Sequence, residues 1–326
     1  MLTDSHNRIH DYLRISLTDA CNFRCVYCMP DEDMFTMPNK HLMQPEEIET
    51  IAKEFVALGV RKIRLTGGEP LVRKGVEDII ARLSELPIEL TLTTNGVFVD
   101  KHIPLFKKAG IRSLNVSLDT LQKDKFFQLT KRDQLEKVMD NIHLLIREGF
   151  SVKINVVAMK GVNDMEVKDF IELTRTLSLH VRFIEFMPFT GNQWEKDQVI
   201  TAKELLATVE NELDYVKLVD EKHATAKKFK AIGHAGTFAF ITTMSEPFCG
   251  DCNRMRLTAD GKMKNCLFGK DELDILATLR RKENIVPVIR KSLLMKHAVM
   301  GGQFEGTYQN TAAGDIENRS MIRIGG

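Results

Sequence analysis

Three cysteines fall within the stretch Cys21-Asn22-Phe23-Arg24-Cys25-Val26-Tyr27-Cys28. It follows directly on Tyr12 to Thr18, a run that reads as a strand. Thiols on a loop leaving a strand can turn toward one point and offer sulfur to a metal. Zinc and iron–sulfur clusters select thiolates, yet a closed structural site takes four ligands, and no fourth Cys is near. Either the fourth ligand comes from elsewhere or one metal position is left open for chemistry. The remaining cysteines, Cys249, Cys252 and Cys266, make a second incomplete group. Cys249-x-x-Cys252 also suits half a zinc ribbon, whereas the first spacing better suits a cubane with three Cys-bound irons and one free.

A further signal is Thr66-Gly67-Gly68-Glu69-Pro70, at the end of a second strand. Paired glycines let a ligand approach the backbone, whose N–H and C=O groups can meet an amine or a carboxylate. The alternative is a strand-to-helix turn needing positive φ. The Gly-x4-Gly-Lys-Ser/Thr phosphate loop is absent.

These motifs need elements to hold them. Pro45-Glu46-Glu47 opens a helix, with Pro and acids in its first turn, and Gly59 closes it. Strands are predicted over 62–66, 88–93, 111–118, 152–158 and 181–186, with helices over 76–86, 101–109, 134–148 and 165–177 between them. With the first strand, six strands alternate with helices, which favours parallel strands with helices outside. An incomplete barrel and a doubly wound open sheet are the competing geometries. Both place functional residues at strand C-terminal ends. After a helix over 201–213 and short alternating stretches at 215–219 and 237–242, the second Cys group begins. A soft boundary near 222 divides the chain into 1–222 and 223–326. The segment 270–318, with His297 and Gly301-Gly302, carries no motif. Lys227 to Lys230 and Arg280 to Lys282 read as solvated faces, and Trp194, in a polar stretch, carries no inference.

Composition narrows the partners. At 326 residues, with 46 Lys+Arg against 45 Asp+Glu, nothing global argues for nucleic acid or an anionic membrane. An anionic ligand must be held by local cations. The N-terminal residues are polar and acidic and no stretch is long enough to span a bilayer, so a cytoplasmic location is expected. In that reducing compartment six Cys favour metal or redox use over disulfides.

The Cys-x3-Cys-x2-Cys loop, with Tyr27 inside it, and Gly67-Gly68-Glu69-Pro70 together resemble the radical S-adenosylmethionine (SAM) superfamily. The resemblance implies an α/β fold: a partial (β/α)6 TIM-like barrel with a smaller C-terminal α+β extension. It also implies a [4Fe–4S] cluster on Cys21, Cys25 and Cys28, whose open iron SAM chelates. At finer grain, Leu13 to Ser16, Cys28-Met29-Pro30, Ile63 to Leu71, Leu92 to Gly96, Asn115 to Asp119, Val152 to Val157, Arg182 to Pro188, Phe248 to Leu257, Cys266 to Phe268 and Gly325-Gly326 are similar to the GTP 3′,8-cyclase (MoaA) family of molybdenum cofactor biosynthesis.

That similarity implies a lyase. It converts GTP to (8S)-3′,8-cyclo-7,8-dihydroguanosine 5′-triphosphate, the ribose H3′ being abstracted and C3′ joined to guanine C8. Around SAM it places Tyr27, Gly67, Gly68, Glu69, Ser117 and Met187. Around GTP it places Arg14, Arg64, Thr93, Lys153, Arg254, Met255 and Arg256. A second [4Fe–4S] cluster on Cys249, Cys252 and Cys266 meets the guanine, and Arg254, Arg256, Gly325 and Gly326 join the catalytic region. A reductant, a downstream molybdopterin-precursor synthase and a homodimer complete the implied partners. The residues agree: a triphosphate held without a phosphate loop needs inward cations, and burying so many without an anion is costly. The competing readings are another radical SAM enzyme with an auxiliary cluster, such as a peptide-modifying maturase, and a zinc-stabilised scaffold.

Overall fold

The computed structural model describes residues 1–29, 36–304 and 307–325. Six parallel strands run through the first part: β1 (Tyr12–Ser16), β2 (Lys62–Thr66), β3 (Glu89–Thr94), β4 (Ser113–Ser117), β5 (Ser151–Ala158) and β6 (Leu179–Glu185). The helices between them are α1 (Pro45–Ala57), α2 (Val76–Ser84), α3 (Val99–Lys108), α4 (Lys123–Thr130), α5 (Leu135–Arg147) and α6 (Val167–Thr176). Every expected strand and helix of this part is present, with ends shifted by a few residues. Helix α4, which no sequence pattern announced, is additional; it is short and ends at Lys131 with φ of 58°.

After α7 (Ala202–Val209) come β7 (Tyr215–Lys217), β8 (Lys227–Ala231), β9 (Thr237–Ile241), β10 (Arg254–Leu257), β11 (Lys262–Lys264) and β12 (Leu273–Asp274), then α8 (Ile275–Arg280), α9 (Val286–Leu294) and α10 (Met321–Ile324). These strands do not make a sheet of their own. All twelve join in the order β12-β11-β10-β1-β2-β3-β4-β5-β6-β9-β8-β7. Parallel β10 extends one edge against β1, and parallel β9 the other against β6. Position 222 lies in the β7–β8 connection, and β7 and β8 pair antiparallel across it. The Lys227 to Lys230 run is a paired strand, with Phe229 buried beneath it.

Side-chain alternation decides between a barrel and a flat sheet. Successive strand residues face opposite sides. Leu13 and Ile15, Ile63 and Leu65, Val152, Ile154 and Val156, and Val181 and Phe183 pack outward in the main core with Ile51, Phe55, Phe106 and Phe170 of the helices. The intervening residues, Tyr12 and Arg14, Lys62 and Arg64, Lys153 and Asn155, and His180 and Arg182, all line one cavity of about 850 Å³. The sheet therefore wraps around that cavity with helices outside, as a partial barrel whose inner face is polar. No helix among the described residues is long and apolar enough to cross a membrane.

The β6 edge is closed by aromatic packing. Phe238 of β9 stacks on Phe229 of β8 at 5.5 Å between centroids and meets Tyr215 and Phe240 edge-on. Such geometries add to area burial. Trp194 is likewise informative after all: it is buried, and its Nε1 donates to Phe186 O at 2.9 Å. Its surrounding sequence is polar, but the loop folds back over the barrel mouth. Because Phe238 is fully buried, Phe238→Ala is expected to cost about 3–5 kcal/mol. The check is a lower midpoint in urea unfolding; an unmoved midpoint would show that this aromatic cluster does not hold the edge.

A candidate active site between two cysteine trios

The loop carrying Cys21, Cys25 and Cys28 is fixed from two sides. Main-chain N–H groups of Arg24 and Val26 donate to Thr130 O and Leu129 O at the end of α4, at 2.9 and 3.0 Å. On the other side Gly68 N donates to Thr18 O (2.7 Å) and Glu69 N to Ala20 O (2.8 Å). This approach is why Gly68 must lack a side chain: a Cβ there would lie 2.5 Å from Ala20 O and 2.7 Å from Asp19 O. Asn95 Nδ2 donates to Asn22 Oδ1 at 2.7 Å and lies 3.9 Å from Cys21 Sγ.

Glu69, expected around SAM, is 1% exposed and its carboxyl is engaged within the protein. One oxygen accepts from Leu71 N (3.0 Å) and Thr94 Oγ1 (2.8 Å), the other from Asn95 N (2.6 Å), and the side chain does not line the cavity. Burial raises its carboxyl to about 7 against those donors. It ties the Gly-Gly turn to the end of β3. Gly67, Gly68, Tyr27, Ser117 and Met187 do line the cavity. Tyr27 Oη donates to Asp119 Oδ2 at 2.5 Å, and Asp119 Oδ1 accepts from Val157 N at 2.8 Å.

The second trio gathers elsewhere on the same wall. Cys249, Cys252 and Cys266 line the cavity. Met300 N donates toward Cys249 Sγ at 3.4 Å, and Lys296 Nζ toward Cys252 Sγ at 3.6 Å. The segment without a sequence motif thus forms the wall behind this trio. Gly301, with φ of 67°, packs where a Cβ would meet Gly269 N at 2.6 Å. Tyr27, Phe186, Phe189, Trp194, Phe268 and Met300 form an apolar cluster against which Cys25, Cys28, Cys249 and Cys266 pack.

The two trios differ electrostatically. Burial pushes Cys25 and Cys28 up, with Cys28, Asp119 and Cys21 adding to it at Cys25 and Cys21 and Asp119 at Cys28, and burial with Glu69 takes Cys21 to about 11. These thiols hold their protons until a metal displaces them. Burial also raises Cys252, but Arg254 and Lys296 outweigh it and bring the thiol down to about 6. Among the described residues no three His, Cys, Asp or Glu side chains converge tightly enough for a single metal ion. Each trio offers the soft all-sulfur donor set that iron–sulfur clusters take.

The cavity that the trios share is also lined by cations. Arg14 stands in register with Arg256 on one side and Arg64 on the other. Arg64 donates to Tyr12 Oη (2.5 Å), Leu92 O (3.1 Å) and Thr93 Oγ1 (3.4 Å). Arg256 donates to Gly325 O at 2.8 Å, which draws the tail to the cavity. Arg254 lies over the Phe248 ring, 4.9 Å from its centroid. Buried Arg14 Nε, Arg182 Nε and Nη2, and the Asn115 and Asn155 Oδ1 atoms have no protein partner. No carboxylate pairs with Arg14, Arg64, Lys153, Arg182 or Arg256 among the described residues.

Burial and neighbouring cations lower Arg14 to about 10, Arg182 to about 9 and Lys153 to about 8. Burial raises Tyr12, but Arg64 and Arg14 prevail and its hydroxyl falls to about 8. The cavity is built for a polyanion. Of the expected residues, Thr93, Arg14, Arg64, Lys153, Arg254 and Arg256 line it. Met255 faces the outer core, fully buried, and Gly326 lies outside the described residues. Tyr12, Asn115, Asn155, Arg182 and Lys296 went unassigned in the sequence. The first four occupy inward strand positions, which alternation could have flagged, whereas Lys296 carries no local signal.

Known proteins can now be set beside this geometry. Residues 15–174 match the Radical SAM superfamily and 179–300 match Molybdenum Cofactor Synthesis C. Molybdenum cofactor biosynthesis protein 1 of Bos taurus is 46% identical over 99% of this chain, which spans about half (51%) of that relative. The mitochondrial GTP 3′,8-cyclase of Arabidopsis thaliana is 45% identical, the chain covering 84% of it. GTP 3′,8-cyclase of Alkaliphilus oremlandii is 40% identical over the whole of both chains. Among solved structures, Streptococcus suis SuiB bound to precursor peptide SuiA has a TM-score of 0.59 at 18% identity, covering 98% of this chain and 77% of that one, a likeness of fold alone. From its identity to relatives that it spans almost end to end, the chain belongs to the GTP 3′,8-cyclase family of the radical SAM superfamily.

Proposed function

We propose that this protein is a radical SAM GTP 3′,8-cyclase, a lyase that forms (8S)-3′,8-cyclo-7,8-dihydroguanosine 5′-triphosphate in the first step of molybdenum cofactor biosynthesis. One observation carries the reading: two open thiol trios share a cavity with buried cations that no carboxylate neutralises. Cys21, Cys25 and Cys28 would hold one [4Fe–4S] cluster, and Cys249, Cys252 and Cys266 a second. With SAM at the first, the bound group supplies a 5′-deoxyadenosyl radical that can take hydrogen from ribose C3′.

The chain's residues do the positioning. Gly67, Gly68, Tyr27, Ser117 and Met187 line the cavity together with the first trio and would flank SAM there. Arg14, Arg64, Lys153 and Arg182, with Thr93, Asn115 and Asn155, would take the triphosphate. Arg182 joins the set on its unpaired Nε and Nη2. Arg254 and Arg256, next to the second trio along β10, would lie at the guanine end. Such fixation turns a bimolecular encounter into a near-attack geometry, worth about 7–11 kcal/mol in well-aligned cases. The apolar cluster of Tyr27, Phe186, Phe189 and Trp194, against which Cys25 and Cys28 pack, would limit water near the first trio. The reading includes a one-electron reductant, a downstream enzyme that takes the cyclised triphosphate toward molybdopterin, a cytoplasmic location and a homodimer.

Anaerobic turnover with GTP, SAM and reductant tests the assignment. Cys266→Ser is expected to retain some deoxyadenosine formation while losing cyclised product; full cyclisation by this variant would contradict the second trio's role. Metal content separates the zinc reading: about eight irons with matching sulfide per chain are expected, against zinc without sulfide.

Binding should also depend on pH. Lys153 is charged below about 8 and loses its proton above it, and Tyr12 becomes anionic over the same range. GTP affinity is therefore expected to fall as pH rises from 7 to 9. Lys153→Met should bind about tenfold more weakly at pH 7, roughly 1.4 kcal/mol, with a shallower pH slope in calorimetric titrations. A slope as steep as that of the unmodified protein would remove Lys153 from the anion site.

A further inference from the structure

Lys296, just beyond α9, is 4% exposed. Its ammonium has three acceptors: Asn265 O, Arg254 O at 3.2 Å and Cys252 Sγ at 3.6 Å. Two of these are neutral carbonyls, and no carboxylate pairs with it among the described residues. A buried ammonium facing only neutral acceptors is costly. The anion available to offset it is the sulfur of Cys252 once that sulfur is a thiolate ligand.

The surroundings keep Lys296 in place. Arg8 donates to Cys249 O and Ala298 O, both at 2.8 Å, and to His297 O at 2.8 Å. His6 Nε2 lies 3.1 Å from Lys296 O. Asp4 does not compete for the ammonium, because its Oδ2 is held by Arg8 Nε at 2.7 Å and by His10 at 3.0 Å. Residues 4–10 thus staple the 296–298 backbone to the start of the second trio, and the lysine cannot swing into solvent. Among the described residues no ammonium donates to a sulfur of the first trio; Glu69 and Arg24 act with opposite sign on Cys21, and Asp119 on Cys25 and Cys28.

We propose that Lys296 is a positioning residue for the second cluster, and that its N–H···S bond to Cys252 raises the reduction potential of that cluster. The inference rests on the second trio holding an iron–sulfur cluster. Reduction adds negative charge to the cluster, and a hydrogen-bonded cation at a ligand sulfur stabilises the reduced form more than the oxidised one. The potential of the second cluster is thereby set in part by an ammonium at one of its ligand sulfurs.

The test uses the full chain with Cys21, Cys25 and Cys28 changed to Ser, so that the second trio is the remaining cluster site. After anaerobic reconstitution with ferrous iron and sulfide, the cluster is titrated potentiometrically and followed by electron paramagnetic resonance. Lys296→Met and Lys296→Gln are expected to make reduction about tenfold less favourable, a fall of about 59 mV for one electron. Lys296→Arg should stay near the parent, as should Lys291→Met on the exposed side of α9. Iron lost from folded Lys296→Met and Lys296→Gln but kept by Lys296→Arg would equally support the role. Unchanged potentials in the Met and Gln variants, or an equal shift in Lys291→Met, would overturn it. A parent that takes up no iron would overturn the second-cluster reading itself, and this inference with it.

Discussion

Arg14 sits between Arg64 and Arg256 on adjacent parallel strands, in register with both. Neighbouring strands are about 4.8 Å apart, and like charges directly opposite one another destabilise a sheet. Arg182, on the same inner face, leaves Nε and one Nη without a partner. A fold selected for stability alone would place carboxylates or apolar residues in this row. The ligand-free barrel carries the repulsion because a polyanion can later relieve it.

The rest of the architecture makes that row possible. Strict alternation along each strand sends Leu13, Ile15, Ile63, Leu65, Ile154 and Val181 outward to the helices. The outer interface supplies the stability that the inner face withholds. C-terminal strands complete the wall at both edges: β10 adds Arg254 and Arg256 beside β1, and β9 closes the side of β6 with Phe238 and Phe240. The chain segment that brings the second cysteine trio therefore also finishes the anion site. Glu185 links these functions, since its carboxylate at the end of β6 caps the Met244 and Ser245 N–H groups just before Cys249.

Much of this was legible in the sequence. Local periodicity announced the strands and helices, and the partition of six cysteines into two trios announced the two groups of thiols that line one cavity. Arg14, Arg64 and Lys153 were expected from the family resemblance, and their inward strand positions line the cavity. Other features depend on contacts distant in the chain. The tie from the Glu69 carboxyl to Thr94 and Asn95 was not legible, because those partners lie 25 and 26 residues later. Trp194 carried no inference, since nothing nearby in sequence shows that Phe186 O lies within reach of its indole. Lys296 was invisible because its acceptors lie about 30 to 45 residues earlier. Helix α4 escaped notice because its short length and modest apolar face give a weak pattern, yet it holds the first cysteine loop.

The central claim is that the cationic row is held for a ligand at the expense of the free protein. It is tested most directly by the urea-unfolding midpoint of Arg182→Met with and without saturating GTP. Without GTP the variant is expected at or above the midpoint of the unmodified protein, because an unpaired buried guanidinium has been removed. With GTP its rise should be clearly smaller, since less binding energy is linked to folding. A variant that is destabilised without GTP yet gains as much from GTP as the unmodified protein would contradict the account.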